Sequence, residues 1–326
     1  MRAKMLKIFC DLTAEQETLT LLKQGVAPHE IIFPAKRAAS VLSKSGPDPA
    51  LADADIAFGQ PDAAAILQAS KLRWLHLSSA GYTRFDTPEF RKAAAEQKLI
   101  VTNSSVVYAE PCAEHVLAFM LAQARKLPDA IKAAAVGDFS SWLQLRTNSR
   151  LLRGETVLLL GFGSIARHLV ALLRPFGMEM TALRRNSTGD EGVRIISKDV
   201  LLEELGKADH VVNILPASPA SDRFVSSTQF AAMKKGAIFY NIGRGATVDQ
   251  DALAAVLNSG HLAAAWLDVT EPEPLPPDHP LLAARNIFIT PHLGGGRQNE
   301  LETLVRHFLE NFRRFLQGTP LHDRIM

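Results

Sequence analysis

Between residues 156 and 291 the sequence alternates short apolar runs with segments of helical periodicity. Each apolar run is continuous, a pattern typical of strands that are buried on both faces of a sheet. Strands of this kind joined by helices form a parallel sheet with helices on both sides. The predicted strands are 156–161, 179–183, 210–215, 237–242, 263–268 and 286–291, and the predicted helices are 164–176, 197–205, 226–235 and 249–260.

The first third of the chain repeats this alternation less clearly and predicts a second, smaller α/β unit. Its apolar runs are again of strand length, and a Pro-containing segment at 45–53 predicts a surface loop. The predicted strands are LKIFC (6–10), ADIAFG (54–59), RWLHLS (73–78) and LIVTN (99–103), with DAAAILQAS (62–70) among the helices.

Two long helical segments suggest how the units are connected. Residues 110–135 predict one amphipathic helix that crosses between the units, and residues 299–318 predict a helix that folds back on the N-terminal unit. We therefore predict one domain from 1–118 together with 293–326, and a second domain from 119–292.

Bulk composition excludes several classes of protein. Lys and Arg number 36 against 34 Asp and Glu, so the net charge of +2 provides no basic surface for nucleic acid or an acidic membrane. Cys10 and Cys112 are too few for a disulfide framework and lack metal-ligand spacing. No run reaches the roughly 18 apolar residues of a membrane span. We expect a cytoplasmic protein without a metal site.

A glycine-rich turn follows the first strand of the larger unit. Gly161, Gly163 and Ala166 form the pattern G-x-G-x-x-A between a predicted strand and a predicted helix. The first glycine permits a tight turn, the second allows the backbone to approach a pyrophosphate, and the third small residue allows close helix packing. Although such a turn can serve packing alone, its position between strand and helix favours a dinucleotide site.

Arg184 stands where such sites usually carry an acid, about 20 residues after the turn. A carboxylate there binds the ribose 2′-hydroxyl of NAD, whereas a guanidinium favours the 2′-phosphate of NADP. Arg185 is a second candidate, although alone it could equally be a solvated surface charge. Further donors follow at Asn186, Ser187 and Thr188. The sequence therefore predicts NADP(H), with NAD(H) as the alternative.

Several functional residue types follow the later strands. Pro216, Arg244, Asp268 and His292 each come just after a predicted strand, as Gly161 and Arg184 do. In an open parallel sheet the carboxyl ends of the strands meet at one edge, and ligands bind there. These six residues are therefore expected at one edge of the sheet.

Over essentially its full length the sequence resembles the D-isomer-specific 2-hydroxyacid dehydrogenases. The matching segments are VTNSS…AEHVLAFML, LLLGFGSIA, HVVNILPAS, YNIGRGATVD, AWLDVTEPEPLP and ITPHLGG, in this order. The resemblance implies an α/β fold with a Rossmann-type doubly wound parallel sheet and a smaller flavodoxin-like domain. It also implies a homodimer and a small 2-keto or 2-hydroxy acid as substrate.

The resemblance implies a role for particular residues. Arg244, Glu273 and His292 correspond to the catalytic residues, with Glu273 rather than Glu271 at the family's spacing from Asp268. Asp268 would bind the nicotinamide carboxamide. The segment Ser79, Ala80 and Gly81 matches the loop that binds the substrate carboxylate, through the N–H groups of Ala80 and Gly81, with Arg244 and His292 completing that site. Further cofactor contacts are expected at Ser164, Ile165, Leu215, Pro216, Ile242, Gly243 and Gly294.

These residue types suit the reduction of a 2-keto acid, in which negative charge develops on the keto oxygen. His292 can deliver a proton, since the reference pKa of histidine, about 6.5, suits neutral conditions. Glu273 would hold the imidazolium in place, and Arg244 would clamp the carboxylate and polarise the carbonyl. His76, His115, His168 and Cys112 are assigned structural roles.

Arg184 in place of the acid departs from the commonest family pattern. Subfamilies that act on glyoxylate and hydroxypyruvate often share it, so these two acids are the expected substrates and reduction is the expected direction. Two alternatives remain open. One is an NAD-linked D-lactate or phosphoglycerate dehydrogenase of the same superfamily, and the other is a nucleotide-sensing, co-repressor-like binding protein with the same fold.

Overall fold

A computed structural model of the protein describes residues 4–35, 37 and 46–326. Within them the chain forms two compact units, one reaching to Tyr108 and resuming at Arg297–Met326, the other spanning Ala109–Gly296. The sequence-based boundaries were 118 and 292. The first boundary, observed or predicted, lies inside one continuous helix, Ser105–Ala124, so no loop or change of composition marks it in the sequence.

The N-terminal unit contains a parallel sheet, with five strands in the part of the chain that the structure describes. These are β1 (Lys7–Cys10), β2 (Glu30–Ile32), β3 (Ile56–Gly59), β4 (Trp74–Leu77) and β5 (Ile100–Thr102). Their order, β2-β1-β3-β4-β5, is that of flavodoxin-like folds. The smaller flavodoxin-like domain is therefore confirmed. The helices of this unit are α1 (Gln16–Val26), α2 (Ala63–Gln68), α3 (Pro88–Glu96) and α11 (Glu300–Gln317).

The C-terminal helix α11 packs against this sheet through aromatic side chains. Phe308 stacks on Phe58 of β3, with ring centroids 4.3 Å apart, and on Trp74 of β4 at 5.1 Å. These three side chains are fully buried. Because large aromatic rings bury 150–250 Å² each, this stack is a major part of the unit's core.

The C-terminal unit contains a parallel sheet that spans seven of the described strands. They are β6 (Thr156–Leu160), β7 (Glu179–Leu183), β8 (Arg194–Ile196), β9 (His210–Asn213), β10 (Ile238–Asn241), β11 (Ala264–Leu267) and β12 (Ile287–Ile289). The spatial order is β12-β11-β10-β9-β6-β7-β8. Strands β7 and β8 are added on one side of β6 and β9–β12 on the other, as in a Rossmann fold. The helices are α4 (Ser105–Ala124), α5 (Leu127–Ala135), α6 (Trp142–Thr147), α7 (Ser164–Leu173), α8 (Leu201–Leu205), α9 (Ser227–Ala232) and α10 (Gln250–Asn258).

Burial explains why the sequence identified the central strands. Every residue of β9, β10 and β11 is buried, which requires the continuous apolar runs seen in the sequence. By contrast, β2 and β8 were not predicted. Both are three-residue edge strands that begin with an exposed charged residue, Glu30 or Arg194. Only two apolar residues therefore remain in each, whereas the predicted edge strands β5 and β12 lie in longer apolar runs.

The prediction of one helix over 110–135 was wrong. The helix stops at Ala124, Lys126 adopts a left-handed conformation with φ of +56°, and α5 begins at Leu127. Pro128 lies in the first turn of α5, where a missing N–H costs nothing, but it could not continue a preceding helix. The apolar periodicity ran through this break without revealing it.

Two smaller expectations also need comment. In the predicted surface loop 45–53, Pro49–Asp53 forms a 3-10 helix in which Leu51 is buried while Pro49, Ala52 and Asp53 are exposed. Residue 45 lies outside the described residues. Among the helices of the described ranges, none combines the length and apolarity needed to cross a membrane.

Candidate active site

The carboxyl ends of the parallel strands in the C-terminal unit carry the candidate residues. Gly161 directly follows β6, Arg184 follows β7, Ile242 follows β10 and Asp268 follows β11. Since the strands are parallel and adjacent in register, these positions share one edge of the sheet. Pro216 and His292 lie three residues beyond β9 and β12, respectively, on the same side.

The glycine turn has the geometry of a ligand-binding turn. Gly161 has φ of +102°, which side chains rarely adopt, and its N–H donates to the carbonyl of Leu183. A Cβ at Gly163 would meet no described atom within 4 Å, so packing within the protein does not explain that glycine. Ala166, in the first turn of α7, is fully buried. Ser164 and Ile165 begin α7, whose first N–H groups lack intrahelical partners.

A cavity of about 410 Å³ opens beside this turn, within the usual range for small-molecule sites. Three cationic side chains contribute to its wall, Arg184, Arg185 and Lys198. Lys198 was missed in the sequence, because it belongs to a 3-10 helix after the unpredicted strand β8. The other lining residues are Gly161, Phe162, Leu183, Ser197, Leu215, Pro216, Ser218, Ala220, Ser221 and Phe224.

Arg184 is not a free cation at this edge. Its Nη1 donates to Oε1 of Glu191 at 2.7 Å, and the Glu191 side chain is only 2% exposed. Hydrogen bonds, first the one from the N–H of Thr188, lower the pKa of Glu191 to about 2. Ser187 and Thr188 also bond to Glu191, so these expected donors are engaged within the protein.

Arg244 lies in a tightly packed turn after β10. A Cβ at Gly245 would fall 2.0 Å from the backbone carbon of Thr270, so only glycine fits there. The carbonyl of Arg244 accepts the hydroxyl of Thr247 at 2.6 Å and the amide of Asn241 at 3.2 Å. The guanidinium donates from Nη1 to the carbonyl of Gly243 at 2.6 Å. Burial lowers the pKa of Arg244, while Cys112 and Glu273 oppose that shift; arginine nonetheless remains charged.

Glu273 and His292 form a direct pair, 19 residues apart in the sequence. Nδ1 of His292 lies 2.5 Å from Oε1 of Glu273, and both side chains are partly exposed. His292 has φ of +53°, a left-handed conformation that is uncommon outside glycine and concentrated at functional sites. The Glu273 charge also acts on Arg244. Glu273 is thus in direct contact with His292 and near enough to Arg244 for its charge to act there.

Asp268 organises the loop that carries His292. Its Oδ1 accepts the hydroxyl of Thr290 at 2.6 Å and the N–H of Leu293 at 2.7 Å, and its Oδ2 accepts the N–H of Gly294 at 2.8 Å. Burial alone would raise the pKa of Asp268, but these hydrogen bonds and one from His115 lower it overall. The carboxylate is 2% exposed. It therefore holds the side chain of Thr290 before His292 and the backbone after it.

His115 supports this network, a contact that the sequence did not indicate. Its Nε2 lies 3.1 Å from Oγ1 of Thr290 and 3.4 Å from Oδ1 of Asp268. The segment AEH was visible in the sequence, but nothing local related it to residues more than 150 positions away. Cys112, one helical turn earlier, is buried, and burial raises the pKa of its thiol to about 12. It stays a protonated packing residue.

In the N-terminal unit, the segment Ser79–Gly81 forms a turn after β4. The hydroxyl of Ser79 donates to the carbonyl of Gly81 at 2.6 Å, and Nδ2 of Asn103 donates to the carbonyl of Ala80 at 2.7 Å. Among the described residues no acceptor takes the N–H of Ala80 or Gly81. These bonds hold the turn from its carbonyl side and leave two adjacent backbone donors, as an anion-binding turn requires.

Comparison with known proteins identifies the family. The sequence profile described as "D-isomer specific 2-hydroxyacid dehydrogenase, NAD binding domain" matches residues 117–294, more than half of the chain. The chain belongs to this family. It is accordingly an NAD(P)-dependent oxidoreductase of the 2-hydroxyacid dehydrogenase type, and the family predicted from the sequence is confirmed.

Individual relatives agree with this assignment. The protein is 34% identical over 221 residues to the glyoxylate reductase/hydroxypyruvate reductase of Homo sapiens, covering 67% of each chain. It is 33% identical over 255 residues to the glyoxylate/hydroxypyruvate reductase B of Salmonella schwarzengrund, covering 76% of each. A D-isomer specific 2-hydroxyacid dehydrogenase from Xanthobacter autotrophicus, solved with NADPH and MES, superimposes with a TM-score of 0.80 at 25% identity, covering 99% of this chain and 98% of that one.

The residues of this 2-hydroxyacid dehydrogenase fit a dinucleotide. Gly163 leaves open space at the start of α7, and a helix N-terminus beside a glycine turn favours phosphate. The cavity next to it carries cations on one wall and apolar side chains on another, which suits a phosphorylated ribose and an aromatic base. Among the described residues, no group of three or more His, Cys, Asp or Glu side chains could hold a metal ion.

Proposed function

We propose that this dehydrogenase works as a reductase of small 2-keto acids, with glyoxylate and hydroxypyruvate as its leading substrates and NADPH as its preferred reductant. The observation that carries the proposal is the His292–Glu273 pair, 2.5 Å apart, on the sheet edge that also bears the glycine turn. The names of the relatives in Homo sapiens and Salmonella schwarzengrund support this choice of substrates.

The dinucleotide would be held by the chain at three places along the sheet edge. The turn at Gly161 and Gly163 with the first residues of α7, Ser164 and Ile165, would bind the pyrophosphate. Leu215, Pro216, Ile242, Gly243 and Gly294 would border the path from there to the nicotinamide, and Asp268 could still accept a carboxamide N–H at Oδ2. Bound in this way, the reduced nicotinamide supplies the hydride.

His292 would be the proton donor to the keto oxygen. Because Nδ1 faces Glu273, Nε2 remains for the substrate. A protonated imidazole is stabilised by the adjacent carboxylate and can release its proton as charge develops on the oxygen. The loop held by Asp268 keeps the ring at a defined place, which proton transfer requires.

Arg244 would bind the substrate carboxylate and polarise the carbonyl. Its Nη1 is tied to the carbonyl of Gly243, so the remaining N–H groups of the planar fork keep a defined orientation. Partial burial strengthens their attraction to a carboxylate. The adjacent N–H groups of Ala80 and Gly81, with Ser79 shaping the turn, would bind carboxylate oxygens as well.

The preference for NADPH would come from the cations at the ribose end of the cavity. Arg184 and Arg185, with Lys198 beside them, offer donors to a 2′-phosphate. Charge-assisted hydrogen bonds contribute roughly 1.5–3 kcal/mol each, so one or two of them correspond to about a ten- to thousandfold preference.

A homodimer in the cytoplasm completes the proposal. Helices α5 and α6 have no buried residue within the described chain, yet Ile131, Phe139, Trp142 and Leu143 on and between them are more than half exposed. Exposed large apolar side chains clustered along one segment are typical of a protein interface, and a second copy of the chain is the occupant that closed symmetry favours. Sedimentation of the wild type and of an Ile131→Glu, Trp142→Glu double variant would test it, with a monomeric wild type contradicting the dimer.

One experiment tests the reaction itself. Glyoxylate, hydroxypyruvate, pyruvate and phosphohydroxypyruvate would be offered with NADPH and with NADH, and initial rates compared. We expect the highest kcat/KM for glyoxylate or hydroxypyruvate with NADPH. Good turnover with NADH and pyruvate or phosphohydroxypyruvate would favour an NAD-linked dehydrogenase for D-lactate or phosphoglycerate. Cofactor binding with negligible turnover on every acid would favour the co-repressor-like alternative.

A further inference from the structure

The loop between β7 and β8 closes around one of its own carboxylates. Oε1 of Glu191 accepts the N–H of Thr188 at 2.7 Å and Nη1 of Arg184 at 2.7 Å. Oε2 accepts the N–H of Gly189 at 2.9 Å and the hydroxyl of Ser187 at 3.0 Å. Two backbone amides, a hydroxyl and a guanidinium are the donors that proteins use to bind phosphate, but in this loop an internal carboxylate occupies them.

This arrangement leaves Arg184 as the group that can still reach a ligand. Glu191 and Oγ1 of Thr188 both bond to its Nη1, and no other described residue bonds to the guanidinium. The Arg184 side chain is 27% exposed and lines the cavity, whereas Glu191 lies behind it at 2% exposure. The guanidinium therefore stands between the buried carboxylate and the space where a 2′-phosphate would lie.

We propose that Glu191 is a positioning residue that determines the cofactor preference by holding Arg184 at the ribose end of the cavity. This inference rests on the proposed preference for NADPH. An unrestrained arginine has many rotamers, and binding a phosphate would have to order them. Glu191 orders the side chain before the cofactor arrives and also ties down the loop backbone, so the free N–H groups of the fork are already directed at the ligand.

Repulsion between the Glu191 carboxylate and the 2′-phosphate does not cancel this effect. The guanidinium lies between Glu191 and the phosphate position, and each anion would bond to different nitrogens of one planar fork. Three further donors from the loop disperse the charge of Glu191: the amides of Thr188 and Gly189 and the hydroxyl of Ser187. The carboxylate is therefore largely neutralised before any phosphate approaches.

The test compares Glu191→Gln with the neighbouring Asp190→Asn. Glutamine keeps the shape of Glu191 but removes its charge and one acceptor. Asp190 is exposed and pairs with Arg167 rather than with Arg184. Its Oδ1 also accepts the hydroxyl of Thr188, a bond that the amide oxygen of asparagine can keep, so Asp190→Asn controls for loss of a loop carboxylate. Dissociation constants of NADPH and NADH would be measured by fluorescence titration on the full chain, with thermal unfolding as a check of folding.

We expect Glu191→Gln to weaken NADPH binding about five- to tenfold, as the loss of one preordered side chain implies, and to change NADH binding by less than about twofold. Asp190→Asn should alter neither. In an Arg184→Ala background, Glu191→Gln should no longer change the ratio of the two constants, because its effect passes through Arg184. Glu191→Asp, whose shorter side chain cannot reach Arg184 equally well, should act in the same direction if the Gln variant does not fold.

Three results would each overturn the inference. In Glu191→Gln these are equal weakening of NADPH and NADH binding, or tighter binding of NADPH. In the Arg184→Ala background it is an undiminished effect of Glu191→Gln on the ratio of the two dissociation constants. Failure of the proposed function has a different signature. It would appear in the wild type, as absence of keto acid turnover or as equal binding of NADPH and NADH, before any substitution is made.

Discussion

The carboxylate of Asp268 holds the backbone of Gly294 at 2.8 Å, two residues beyond His292, although 26 positions separate the pair in the sequence. The same side chain accepts the N–H of Leu293 and the hydroxyl of Thr290. The loop that carries the proposed proton donor is thus anchored on both sides by one buried anion. Its identity as aspartate, not only its charge, matters to the position of His292.

Asp268→Asn should therefore lower both activity and stability. An amide can accept at only one atom and would face a donor at the other, which leaves a buried group unpaired at a cost of about 1–3 kcal/mol. We expect the melting temperature to fall by a few degrees and kcat to fall at least about tenfold. In the wild type, the folded-state pKa of Asp268 is lowered, so its stabilising effect is present above the unfolded value, near 3.8, and is lost as the pH falls below it. The stability difference between wild type and variant should accordingly shrink below pH 4; a constant difference down to pH 2 would contradict this.

His292→Ala should affect turnover far more than cofactor binding. Loss of general acid catalysis typically costs a factor of 10² to 10⁴, whereas the dinucleotide turn is untouched. Stopped-flow hydride transfer and fluorescence titration would separate the two effects. Glu273→Gln should cause a smaller loss of kcat, since the ring keeps a hydrogen-bond partner but not a charge. A His292→Ala variant with unchanged kcat would remove His292 from its proposed role.

Arg244→Lys should reduce activity strongly, although lysine keeps the positive charge. An ammonium cannot donate to the carbonyl of Gly243 and to a substrate carboxylate in the geometry of the planar fork. We expect kcat/KM for the keto acid to fall by about 10² or more, with little change in NADPH dissociation. Arg223→Lys, at an exposed position of the same unit, is the matched control; comparable losses in the two variants would show that fork geometry is not the cause.

Arg184→Ala should weaken the binding of NADPH and leave the binding of NADH nearly unchanged. Charged hydrogen bonds to the 2′-phosphate would be lost, which corresponds to about ten- to a thousandfold in the dissociation constant. Arg185→Ala, at the exposed neighbouring position, should have a smaller effect. If both cofactors weaken equally in Arg184→Ala, the arginine supports the loop and does not select the cofactor.

Substitution by alanine should reduce cofactor affinity at Gly163 and stability at Gly245. In Gly163→Ala the new Cβ meets no described atom within 4 Å and the backbone conformation is extended, so stability should stay within about 0.5 kcal/mol while dinucleotide affinity falls. In Gly245→Ala the Cβ would lie 2.0 Å from the backbone of Thr270, so the loop bearing Arg244 should be strongly destabilised. Thermal unfolding and cofactor titration of both variants would check this contrast, and an unchanged affinity in Gly163→Ala would contradict a pyrophosphate at this turn.

Much of the fold and of the site was accessible from the sequence because the relevant information is local. Continuous apolar runs such as 210–215 and 237–242 identify strands buried on both faces, and these become β9 and β10. The edge strands β2 and β8 were missed because each begins with an exposed charged residue and contains only two apolar ones. The break between α4 and α5 escaped because the apolar pattern continues across Lys126, although Pro128 was the available signal.

What the sequence by itself determined is the set of residues at the carboxyl edge of the larger sheet. Parallel strands place their ends together whatever the details of packing, so Gly161, Arg184, Asp268 and the loop of His292 had to share that edge. Only the tertiary structure decided the partners of these residues. Glu191 turning inward to Arg184 and His115 reaching Thr290 depend on how loops fold and helices pack. The family resemblance implied that Glu273 lies beside His292, and the structure adds their 2.5 Å contact. Such side-chain partnerships are set by the packing of loops and helices, and no local sequence pattern encodes them.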